Sequence, residues 1–177
     1  MKVATENEPV TQMRIIKLSK TPSLSKKSIL TYSISTSPDG ELFFKIISND
    51  GGGFWNAEFV SLGSIQKVTQ DIPFEKPITS YVLHPLFKGK SVNTPAFLMA
   101  VLQAEKLVQP ALGREKCFLR CDPNEFMSNI NALIQSNINL TVNDGEIASG
   151  KESNAAPELV AKKSASKSSK KVPIVAP

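Results

Sequence analysis

Cysteine and histidine are scarce in this chain, with two and one respectively among 177 residues. Cys117 and Cys121 cannot build a disulfide framework, and four positions apart on a strand they would stand roughly 13 Å from each other, too far for a bridge. They read as a reduced, packed pair. A tetrahedral zinc site would need further Cys or His ligands, so metal binding is not expected. His84, beside Pro85, has no partner that would complete a triad and reads as a strand-end residue rather than a base. No apolar run approaches the ~20 residues that span a bilayer. The opening MKVATENEPVTQ has acids where a signal peptide has its apolar stretch. These absences lead to the expectation of a cytoplasmic protein with no membrane association and no cofactor.

Catalytic constellations are missing too. Gly89-Lys90-Ser91 has the ending of a phosphate-binding P-loop, yet the glycine required five positions earlier is His84. No serine sits in a nucleophile elbow, and no carboxylate pair stands out from the solvated scatter. A non-enzymatic protein is the expectation, with no metal requirement and no ATP hydrolysis.

What the chain does have is positive charge at its ends. Residues 28–143 carry nine Lys/Arg against ten Asp/Glu, a net of −1, while 1–27 carry six against two and 144–177 six against four. The run Ala161 to Lys171, AKKSASKSSKK, holds Lys162, Lys163, Lys167, Lys170 and Lys171 and no acid. Such a composition buries too little apolar surface to fold and suits a solvated polycation meeting an anionic polymer. The expected organisation is a basic N-terminal arm over 1–27, a single globular domain over 28–143 and a disordered Lys/Ser/Ala-rich tail over 144–177.

Within the arm, Met13 to Leu18 is apolar enough to add a short edge strand. From Ser28 the pattern alternates, with Leu30, Tyr32 and Ile34 set against Ser33 and Ser35, as on a half-buried strand. Ser37-Pro38-Asp39-Gly40 has turn chemistry, and Glu41 to Ser48 is rich in β-branched and aromatic residues. After Asp50 and three glycines, Phe54 to Leu62 alternates again, which predicts a three-strand meander over 28–62. Trp55, Ala57 and Phe59 would then share one face, with Asn56 and Glu58 on the other. Ser64 to Gln70 reads as a short helix and Ile78 to Leu83 as a fourth strand. Thr94 and Pro95 open a helix over about 95–109, apolar all round and hence central, that stops at Pro110. Lys116 to Cys121 reads as a strand. Asp122-Pro123-Asn124-Glu125 opens a second helix over about 123–135, with Phe126, Ile130, Leu133 and Ile134 as its buried stripe. Asn137 to Asn143 alternates as a last strand. The predicted class is α+β with a mainly antiparallel sheet and two principal helices.

The glycine segment Asp50 to Gly53 reads either as a hairpin connection or as bare backbone that a phosphate could approach, the connection being favoured because Asp50 would repel an anion. Beside it, Phe54 and Trp55 point to opposite sides of a strand, so one faces the core while the other remains available. Aromatics on an antiparallel sheet stack the bases of single strands. The preferred expectation is therefore a protein that binds nucleic acid, single-stranded rather than duplex, through Lys45, Phe54, Trp55, Lys88, Lys90 and the lysines of the tail. The alternative is a protein-interaction module or accessory subunit, with self-association through sheet edges or helices, whose tail solubilises or docks it. Lys45, Lys88, Lys90, Arg114 and Arg120 gathered on one face would favour the first class, and their scatter the second.

Overall fold

The computed structural model describes residues 13–52, 54–87 and 92–142. Three strands, β1 (Arg14–Pro22), β2 (Ile29–Thr36) and β3 (Leu42–Asn49), pair antiparallel in sequence order, and β4 (Val60–Ser61) adds two residues at the far edge. Helix α1 (Leu62–Thr69), a 3-10 helix (Ser80–Phe87), α2 (Thr94–Ala104) and α3 (Asn124–Gln135) cover the sheet, and β5 (Val108–Pro110) and β6 (Phe118–Arg120) form a separate ribbon. The protein is α+β with an antiparallel sheet, as the alternation and the capping signals predict. Among the described residues no helix is long and apolar enough to cross a membrane.

The predicted edge strand is longer than its apolar stretch, because β1 pairs with β2 from Arg14↔Thr36 to Pro22↔Ile29. Ile16 is the extra residue of a bulge in β1, which turns it into the core at 1% exposure. Tyr32, Ile34, Phe44 and Ile46 point to the same side and join the buried residues of all four helices in one cluster. Phe126 of α3 stacks on Phe44 with ring centroids 6.0 Å apart. The turn after β2 closes as its residues require: Gly40 N–H donates to the Ser37 carbonyl at 3.0 Å, and Ser37 Oγ accepts from Glu41 N at 3.1 Å.

Three expected elements are corrected. The third strand of the meander does not run from Phe54 to Leu62 but is confined to Val60–Ser61. Asn56 N–H donates to Thr94 Oγ1 and Glu58 N–H to Asn56 Oδ1, so side chains take the donors that a ladder would use. Ile78 to Leu83 is not a strand. Ile78 makes one bridge to Phe118, and the chain then winds into the 3-10 helix, burying Leu83 and Phe87 four residues apart. Likewise Asn137 to Val142 forms no strand beyond a bridge from Leu140 to Ile15, Asn143 lying outside the described residues.

Helix α2 is central, burying Leu98, Met99, Ala100, Val101 and Leu102 in succession, but it ends at Ala104 rather than near residue 109. Lys106 N–H donates to Gln103 O and Leu107 N–H to Leu102 O, with Lys106 at φ +59°. This pair of bonds and the left-handed residue form a Schellman stop. Its usual glycine is replaced by lysine, so the termination leaves no signal in composition. At the other end, Thr94 does not cap with its side chain, which is engaged by Asn56.

Glu105, at the end of α2, is 8% exposed and ties the helix to the sheet. Its carboxylate accepts from Lys17 Nζ of β1 at 2.8 Å and from the Tyr32 hydroxyl of β2. An acid at a helix C-terminus opposes the dipole and a buried one loses its hydration, so both donors are needed to hold it. Burial, and then the hydrogen bond to Glu105, push the Tyr32 phenol above its ordinary range. A phenol raised in the folded state keeps its proton after the unfolded one, near pH 10, has lost it. Its contribution is therefore complete below pH 10 and declines above it. Chemical denaturation between pH 8 and 11 is expected to show Tyr32→Phe less stable by about 1.5–3 kcal/mol at pH 8, with a shallower alkaline loss than the unsubstituted protein.

Candidate nucleic-acid interface on the open face of the sheet

The register assigns the second face of the sheet. Directly opposed residues point to the same side, so Leu18, Ser33 and Lys45 form one row, Ile15, Ser35 and Phe43 another, and Lys20, Thr31 and Ser48 a third. Phe43 also pairs with Ser61, and Val60 with Phe44, which places Phe59 beside Lys45 on this side. The helix residues of the hydrophobic core pack in the cluster on the other side, Ile65, Leu98, Phe126 and Ile130 among them. This face therefore carries no packed helix among the described residues.

On it, Phe43 and Phe59 meet edge to face with centroids 6.3 Å apart, and Lys45 Nζ lies 4.7 Å from the Phe59 centroid. Phe59 is 41% exposed, and Phe43 and Lys45 are half-buried. The lysine sits over the ring's negative face, an arrangement that orients the ammonium without neutralising it. The rows contain two lysines, Lys20 and Lys45, and no acid. Between them the small Ser33 and Ser35 are covered by their neighbours, with hydroxyls buried and unpartnered.

The other expected site residues go elsewhere. No strand sets Trp55 and Phe54 on opposite faces, yet the two differ in burial: Phe54 is 90% exposed, while Trp55 is packed against the core with its Nε1 buried and unpartnered. Trp55 does not share a face with Phe59, because the segment between them makes side-chain bonds instead of a ladder. Phe54 lies beside the start of α2, its carbonyl accepting from Asn93 Nδ2 at 3.2 Å. Lys88, Lys90 and the tail lysines Lys162, Lys163, Lys167, Lys170 and Lys171 lie outside the described residues. Arg120 does not join Lys45: its guanidinium donates to the carbonyls of Thr69 and Ile72 and covers Phe74 at 5.0 Å. Arg114 is exposed on the turn between β5 and β6.

The glycine segment is structural where it is described. Asp50 Oδ1 accepts from Ile29 N at 2.6 Å, so its carboxylate closes the sheet end. A Cβ at Gly51 would come within 2.4 Å of Ser28 Cβ, and Gly52 has φ +72°. His84 is not a strand-end residue; it lies in the 3-10 helix with its ring stacked on Tyr81 at 5.4 Å. Cys117 and Cys121 are free thiols, both half-buried, and burial pushes the Cys121 thiol up. Among the described residues no cluster of three His, Cys, Asp or Glu could hold a metal ion.

Phe43 and Phe59 are the site residues that sequence reasoning misses. Strand parity assigns Phe59 to the face of Trp55, and Phe43 is one of two adjacent phenylalanines in a uniformly apolar run. The usable signal is Lys45, which shares strand parity with Phe43 and so marks the side that water reaches. No protein-family model matches the chain, and no curated protein or solved structure does either.

Truncation separates the two aromatic neighbours. Trp55→Ala is expected to lower stability by about 3 kcal/mol, the lower end for a large aromatic because the ring is only partly buried. Phe54→Ala is expected to stay within about 0.5 kcal/mol of the parent. Urea denaturation of both variants checks this.

Proposed function

We propose that the open face of the sheet binds single-stranded nucleic acid, with Phe59 and Phe43 offering their rings to bases and Lys45 and Lys20 meeting the backbone phosphates. The observation that carries this reading is the cluster of Phe43, Phe59 and Lys45 on a sheet face that no described helix covers. Base stacking on an aromatic is worth about 1–3 kcal/mol and tolerates any sequence, because every base has a π face. The near-neutral middle of the chain is no obstacle, since the rows of this face hold lysines and no acid. The lysines of 144–177 add long-range attraction to phosphate.

The separation of Arg114 and Arg120 from Lys45 favours a second reading, in which the same half-apolar face receives a protein partner. Fluorescence anisotropy with single- and double-stranded DNA and RNA at several salt concentrations distinguishes the two. The expected result is preference for single strands, a loss of about 1–3 kcal/mol for Phe59→Ala, and a log–log salt slope reduced by about 0.7 for Lys45→Ala. Removing residues 144–177 is expected to preserve the melting transition and reduce the slope by at most about 0.7 for each lysine that contacts phosphate. Affinity unchanged in a folded Phe59→Ala, Lys45→Ala double variant would overturn the assignment of this face and leave the partner reading ahead.

A further inference from the structure

On the helical side of the molecule a cleft of about 250 Å³ opens between α1, α2 and the β5–β6 ribbon. Its walls are apolar, formed chiefly by Leu62, Ile65, Met99, Leu102 and Leu107, with Phe74 and Pro123 also at its lining. Beside the neutral polar residues Gln66, Thr69 and Gln70, the lining carries one cation, Arg120, and one thiol, Cys121. None of the residues of the open sheet face lines the cleft, so a ligand held there is independent of the proposed function.

Arg120 is held in an unusual electrostatic position. Its terminal nitrogens donate to the Thr69 and Ile72 carbonyls, its Nε is buried with no partner, and a phenyl ring covers the guanidinium. The ion pairs among the described residues are Lys17–Glu105 and Lys106–Glu125, and Arg120 is in neither. Asp71 and Glu75, on the loop that Arg120 clasps, are exposed and form no ion pair with it. The guanidinium is partly withdrawn from water and meets two carbonyl dipoles and a ring but no carboxylate, so its charge and its remaining terminal N–H donors are left for an anion. Its planar fork matches a carboxylate. The cleft is just below the roughly 300–1,000 Å³ of drug-sized pockets, and at about 30 Å³ for each water-sized atom it accommodates about eight non-hydrogen atoms.

We infer that this cleft binds a small monocarboxylate of about six carbons in all, its apolar chain lying among Leu62, Met99, Leu102 and Leu107 and its carboxylate paired with Arg120. Charge decides for an acid over a neutral apolar molecule, and volume excludes a long-chain lipid.

Cys121 provides a reporter inside the site. In the full-length protein carrying Cys117→Ser, Cys121 is the only remaining thiol, and its alkylation by iodoacetamide can be followed by mass. Hexanoate is expected to slow alkylation in a saturable manner and to raise the melting temperature, while hexanol at the same concentration does much less. Arg120→Gln is expected to weaken hexanoate protection about tenfold, the loss of one charge-assisted hydrogen bond. Because Arg120 also clasps the 69–72 loop, Gln66→Trp is the companion variant. Gln66 is an exposed residue of α1 at the rim, so an indole there blocks the cleft without disturbing the core. It is expected to leave the melting temperature unchanged and abolish protection. Equal protection by hexanol and hexanoate, or saturable protection undiminished in Gln66→Trp, would overturn the inference, as would no protection at millimolar hexanoate.

Discussion

Every helix among the described residues packs on one side of the sheet, and that constraint organises the rest. A sheet covered on one face must divide each strand into a core row and an outer row. Tyr32, Ile34, Phe44 and Ile46 supply the core row, and the helices complete it. The outer row is left to residues that tolerate water on one side. It is there that two phenylalanines and a lysine come together with two buried serine hydroxyls at the centre.

The Glu105 carboxylate is the point at which the two layers are joined. It draws a lysine from β1 and a phenol from β2 onto the last turn of α2, and Lys106, its neighbour, reaches α3 through Glu125 at 2.6 Å. The first contact is buried and geometrically demanding, and removing one partner of such a set leaves a charge without compensation. The second is exposed and contributes little. The helix therefore stops where it does because its terminal residues are committed to neighbouring elements: Glu105 inward, Lys106 in a left-handed conformation outward.

The two proposed binding activities use opposite sides of the molecule and different chemistry. The sheet face offers one exposed and one half-buried ring beside lysine ammonium groups, suited to a polymer whose bases stack and whose phosphates are screened by salt. The cleft offers a dry apolar wall and one guanidinium, suited to a compact ligand removed from water. By sequence Arg120 groups with the cations of the first surface, and its place in the second is set by β6, which turns it toward the 69–72 loop.

Much was legible in the order of residues alone: the α+β class, the Ser37–Gly40 turn, the alternation of β2, the all-apolar central helix, and the second helix after Asp122 and Pro123. These features are local, since periodicity and capping act over one or two turns of chain. Tertiary structure decided the rest. Whether Phe54 to Phe59 became a strand depended on Thr94, thirty-eight positions from Asn56, taking one of its backbone donors. The end of α2 depended on a lysine accepting a conformation usually left to glycine. The side of the sheet to which Phe43, Lys45 and Phe59 belong depended on pairing register, and the isolation of Arg120 on which carbonyls lay within its reach. Composition and spacing carry no information about contacts between residues far apart in the chain, and it is those contacts that place the candidate sites.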